Sequence, residues 1–131
     1  MAKISIILIA CVVGLTACME NTVMTGGTPQ TATTQELCRI IHWDGNGFDY
    51  GADAAFSELE ARGVFTPKEL NGIKVGIPSI GDSESAALCG QGYFYDDVNI
   101  TQTQYGTSKQ YVISSGFYIY VEKGRVTAIQ T

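Results

Sequence analysis

The sequence predicts an α+β domain: short N-terminal helices packed on one face of a small antiparallel sheet of three to four strands. Three observations carry that prediction. Between residues 33 and 90, helix-capping signatures precede apolar residues at helical spacing. From Val98 onward, apolar and polar residues alternate and short turns recur. A chain of 131 residues, less a disposable leader, suits one compact domain and is too short for two.

Residues 1–17 read as a signal peptide. Lys3 supplies the basic head, an apolar run follows over residues 4–14, and Thr16-Ala17 gives a small-residue exit before Cys18. A single transmembrane anchor and an ordinary signal peptide with a chance cysteine are the alternatives, and a span needs ~20 apolar residues, more than this run has. Leu15-Thr16-Ala17-Cys18 resembles the lipobox of bacterial lipoproteins. That resemblance implies that Cys18 is acylated, palmitate being one such chain, and becomes the new N-terminus. Met19 stands where inner-membrane lipoproteins of enterobacteria carry Asp, so the same resemblance implies the outer membrane, facing the periplasm. Residues 18–32 are expected to form a flexible tether, because Gly26-Gly27-Thr28-Pro29 and its polar neighbours offer little to bury.

The net charge is −5, and loss of Lys3 with the leader leaves the remainder one unit more acidic. Such a surface repels phosphate backbones and anionic lipid, which disfavours nucleic acid and electrostatic membrane binding. Of four cysteines, Cys11 leaves with the leader and Cys18 takes the lipid. Cys38 and Cys89 remain as an even pair, and an exported chain favours a disulfide between them. Two buried thiols or a metal site are the alternatives, though His42 is the only histidine available to a metal.

The folded part is expected over residues 33–131. Thr33-x-x-Glu36 is a capping box, followed by Leu37, Ile40 and Ile41 at helical spacing, with Cys38 at the edge of that face. Asp44-Gly45-Asn46-Gly47 breaks this helix. A second helix over residues 52–62 buries Ala55, Phe56 and Leu59 and stops at Gly63. Thr66-Pro67-Lys68-Glu69 opens a third, with Leu70 and Ile73 as its apolar contacts. Asp82-Ser83-Glu84 leads into a small-residue helix through Ala86, Ala87, Leu88 and Cys89 that ends near Gly90 or Gly92. Strands follow over residues 98–104, 109–113, 117–121 and 125–130, with Lys123-Gly124 as a two-residue hairpin loop. Phe117, Ile119, Val121, Val126 and Ala128 should face the helices, and Tyr118 and Tyr120 the other side.

Chemistry-bearing constellations are scarce. Asp53, Glu58, Glu60 and Glu69 fall on helix positions expected to be solvated. His42-Trp43-Asp44 lacks a nucleophile, and Ser83-Glu84-Ser85 and Asp96-Asp97 lack a triad order or metal motif. The glycines match neither phosphate-binding fingerprint. No catalytic, metal or cofactor residue is assigned.

Gly81-Asp82-Ser83-Glu84, Gly92, Asn99-x-Thr101-x-Thr103, Gly106, Gln110-Tyr111-Val112, Tyr118-Ile119-Tyr120 and residues 124–130 occur in an order that resembles two related groups. These are small bacterial envelope proteins of the BamE (SmpA/OmlA) type and β-lactamase inhibitory protein. Leu37-Cys38-Arg39 and residues 58–63 resemble a helical extension in uncharacterised members. Asp82 and Phe94 depart from the pattern, standing where an apolar residue and Pro are usual. The resemblance implies a non-enzymatic module that binds an envelope protein and carries over none of the family's interface residues. Read from the residues themselves, a tyrosine-rich strip of Tyr111, Tyr118 and Tyr120 would suit an interface, since tyrosine supplies contact area at small entropy cost. Ordinary cross-strand aromatic pairing is the other explanation of that strip. An inhibitor of an envelope hydrolase, such as a lysozyme or β-lactamase, is the alternative function.

Overall fold

A computed structural model describes residues 27–43 and 51–131. The leader, Cys18, the first part of the tether and the Asp44–Gly47 helix break lie outside the described residues. Four helices, α1 (Thr34–His42), α2 (Ala52–Arg62), α3 (Pro67–Val75) and α4 (Glu84–Gly90), precede four strands, β1 (Asp97–Thr103), β2 (Gly106–Ser114), β3 (Phe117–Glu122) and β4 (Arg125–Gln130). The architecture is α+β, with the helices packed against an antiparallel meander of order β1-β2-β3-β4. Among the described residues no helix is long and apolar enough to cross a membrane.

Local chemistry starts and stops the helices where the sequence marks them. The Thr33 hydroxyl accepts from Glu36 N–H at 3.1 Å while the Glu36 carboxylate accepts from Thr33 N–H at 2.6 Å. Thr66 and Glu69 repeat this reciprocal cap on α3. Gly63 ends α2 in the left-handed conformation. On α4, Tyr93 N–H reaches Leu88 O and Gly92 N–H reaches Cys89 O, which satisfies the last carbonyls in a Schellman turn with Gly92 at φ +62.

The order begins earlier than the Thr33 boundary. Pro29–Thr31 forms a 3-10 turn and Ala32 is buried, because the Arg62 guanidinium holds Pro29 O at 3.2 Å and Ala32 O at 2.6 Å.

Two apolar clusters organise the interior. Leu37, Cys38, Ile40, Ala55, Leu59, Phe65, Ile73 and Cys89 form the core of the helical layer. Cys38 is fully buried there, not at a face edge, and is bonded to Cys89, tying α1 to α4 across 51 residues. Ala87 and Leu88 of α4 pack with Tyr111, Ile119, Val121 and Val126 of the sheet, and half-buried Tyr93 touches both clusters.

Three expectations need correction. Ala128 is exposed, and Ile129 joins the sheet cluster in its place. The cause is a bulge: Tyr120 pairs with Ala128 but Val121 pairs with Val126, so the extra residue Thr127 shifts the alternation. Tyr111 lies directly across from Ile119 and shares its inward face, so it is buried and apart from Tyr118 and Tyr120. Glu69 is only 6% exposed, because its second oxygen turns inward to accept from Ser83 N–H at 2.7 Å.

Candidate interaction surface

Tyr118 and Tyr120 stand on the sheet face away from the helices, both half-buried. Tyr120 belongs to a polar ladder crossing all four strands. Asn99 donates to Gln110 at 3.1 Å, Gln110 to the Tyr120 hydroxyl at 2.9 Å, and that hydroxyl to Gln130 at 3.0 Å. The ring is therefore fixed by cross-strand partners. Of the three tyrosines, the structure brings Tyr118 and Tyr120 together and sends Tyr111 to the opposite side.

Tyr111 instead donates to Glu84, whose same oxygen accepts from Lys109 at 2.8 Å. Burial pushes the Glu84 carboxyl up, but hydrogen bonds from Lys109 and Tyr111, with the lysine charge, outweigh it and hold it below its usual value. Burial first, then bonding to Glu84, pushes the Tyr111 hydroxyl well up. Burial and the Glu84 charge also raise Tyr93. Two shallow clefts meet at this carboxylate. One of about 420 Å³ is floored by Thr107, Lys109 and Val121, and one of about 330 Å³ by Ser83, Ser85 and Leu88. With Glu84 already engaged by two donors, its main effect is to tie the start of α4 to β2.

Glu69 and Asp82 make a comparable joint between α3 and the loop before α4. Burial pushes Glu69 up, and the bonds from Ser83 and Thr66 together bring it below its usual value. Asp82 is buried and accepts from Ser79 N–H at 2.7 Å, with Lys68 at 3.8 Å. The polar residue where the resembled pattern is apolar therefore has a local role. Among the described residues no group of three or more His, Cys, Asp or Glu side chains is placed to hold a metal ion.

The surface that stands out chemically is aromatic and lies where α1 ends beside the turn after α4. Trp43 and Phe94 meet edge to face at 5.4 Å between centroids, and His42 lies 5.8 Å from Phe94. Arg39 covers the Phe94 ring at 5.7 Å. Trp43 and Phe94 remain 46% and 43% exposed, and Tyr95, packed edge to face on Tyr111, is 42% exposed. His42 Nδ1 donates to Gly90 O at 3.3 Å, so the histidine joins the two helix ends. Gly92 permits the approach, since a Cβ there would meet His42 Cβ at 2.8 Å. In the sequence Phe94 stands out only as a departure from the resembled pattern and Tyr95 not at all; the available signal is three consecutive aromatics, Tyr93-Phe94-Tyr95, directly after a helix-stop glycine.

No family model, no curated protein and no solved structure matches this chain.

Proposed function

We propose that this chain is a lipid-anchored envelope protein that acts through protein–protein contacts and not by catalysis, as a scaffold or assembly accessory at the outer membrane. The observation that carries the contact half is the exposed cluster of Trp43 and Phe94 beside Arg39 and His42. Exposed aromatics with arginine are the composition of binding hot spots. The Cys38–Cys89 disulfide supports the export half, because such bonds persist in oxidising compartments. The lipobox-like Leu15-Thr16-Ala17-Cys18 supports the anchor and Cys18 as its lipidation site. The finer fold reading, BamE-like or like β-lactamase inhibitory protein, belongs to the same proposal, supported by short helices followed by a four-strand meander.

The test is a crosslinking pulldown from native membranes with wild type, Cys18→Ala and the pair Trp43→Ala, Phe94→Ala. The proposal expects one envelope protein captured by wild type and lost from the aromatic variant. A hydrolase captured equally with and without Cys18 would favour the inhibitor reading. Equal capture by the aromatic variant would remove this surface from the account.

A further inference from the structure

The two edges of the sheet differ. Along β4, the segment before α4 covers the strand's start: Gly81 N–H donates to Val126 O at 2.8 Å, Val126 N–H to Asp82 O at 2.9 Å, and Glu84 N–H to Gly124 O at 3.0 Å. Along β1, no described segment makes such bonds.

The free groups on β1 follow from the direction of the ladder. Asp96 N–H donates to Val112 O at 2.7 Å, so Val112 faces β1, and by alternation Gln110 and Ser108 do too. Their partners Asn99 and Thr101 therefore direct their backbone groups inward. Val98, Ile100 and Gln102 turn theirs outward, where the Val98 N–H is taken up by the neighbouring Asp97 Oδ1 at 2.8 Å. The strand has no Pro, no Lys and no bulge in its pairing with β2; its one edge protection is Asp97 at the strand start, which leaves Ile100 and Gln102 open.

This edge is complementary to itself. An antiparallel copy of β1, related by a two-fold axis through Ile100, sets Ile100 against Ile100 and Val98 against Gln102. The three outward residues then become the hydrogen-bonded pairs: the outward groups of Ile100 and Gln102 gain partners, and the Val98 N–H exchanges Asp97 Oδ1 for Gln102 O of the second copy. Asp97, the one charged residue of β1, falls opposite Thr103 of the second copy, so no like charges meet. Ile100, 57% exposed, is covered by its own copy.

We propose that β1 pairs antiparallel with β1 of a second copy, centred on Ile100, joining two four-stranded meanders into one continuous sheet. A backbone edge alone would accept any extended peptide. The matched side chains select this chain as the occupant. A pair of seven-residue edges is small for a specific interface, so association in the micromolar range is expected. The inference does not depend on the function proposed above.

The test uses the full chain in detergent and in its native membrane. Sedimentation should show a monomer–dimer equilibrium in the micromolar range, weakened at least ~10-fold by Ile100→Lys, which places like charges on the axis. Ile100→Pro should do the same, since this N–H faces away from the internal ladder. Circular dichroism of both variants should match wild type. In membranes, Ile100→Cys should give a reducible dimer under mild oxidation, while Ser108→Cys, on an interior strand, should not. A wild type that stays monomeric through ~100 µM overturns the proposal, as does a dimer indifferent to Ile100→Lys. Crosslinking of Ile100→Cys to a different protein overturns the choice of occupant.

Discussion

Leu37, Leu59 and Cys38 in the helical layer have no exposed surface, whereas Ile100 at the open end of the sheet is more than half exposed. The layers differ as much in how they close. In the helical layer α1 must find α4 across 51 residues, and a disulfide fixes that meeting. In the sheet each strand pairs with its neighbour in sequence through a short turn, and α4, seven residues long, covers only part of the inner face. Long-range contacts carry a large closure entropy and local hairpins a small one, so the covalent link lies where that cost is greatest. The sheet is left with an open edge and the helical layer with an aromatic corner, and each offers surface to a partner.

The sharpest way to break this contrast is to remove the link. Cys38→Ala with Cys89→Ala should cost about 4 kcal/mol of stability in urea denaturation. Hydrogen exchange should show amides of α1 and α4 losing protection before those of β2 and β3. Simultaneous loss would mean that the layers form one cooperative unit. Next comes a paired truncation: Leu59→Ala should cost about 3 kcal/mol and Ile100→Ala less than about 1 kcal/mol in dilute solution. Equal costs would show that the sheet edge is as well packed as the helical core.

Gly92→Ala should cost about 2 kcal/mol, because the left-handed backbone and the His42 contact both oppose a Cβ. Trp43 fluorescence should shift in the same variant as the aromatic corner opens. The smallest effect concerns two carboxylate joints, Glu84 between α4 and β2 and Glu69 between α3 and the start of α4. Glu69 and Glu84 both lie below their ordinary value of 4.5 when folded. The stability they add is therefore present above that pH and is lost as pH falls through their lower folded values. Glu84→Gln and Glu69→Gln should each lower stability at pH 7 by about 1 kcal/mol and flatten its decline as pH falls below 4.5 in urea titrations. An unchanged decline would mean that other carboxylates dominate acid unfolding.

How far the sequence could be read depends on distance along the chain. The Thr33–Glu36 and Thr66–Glu69 caps, the Gly63 stop and the Lys123-Gly124 turn were legible because each bond spans only a few residues. Tyr111 was misplaced because Tyr111-Val112-Ile113 is an unbroken apolar run, whose inward parity is set only by pairing with Ile119. Ala128 was misplaced because the bulge at Thr127 arises between two strands. The inward oxygen of Glu69 and the meeting of Trp43 with Phe94 depend on elements far apart in sequence.

By itself, the sequence determined where helices and hairpins start and stop, and it marked Cys38 and Cys89 as a pair. Tertiary structure alone decided which faces are covered, which edge stays open and which aromatics meet. Caps and turns are settled by bonds within one turn of chain. Faces, edges and clusters are settled by register and closure between distant segments, where a one-residue shift reverses every side chain.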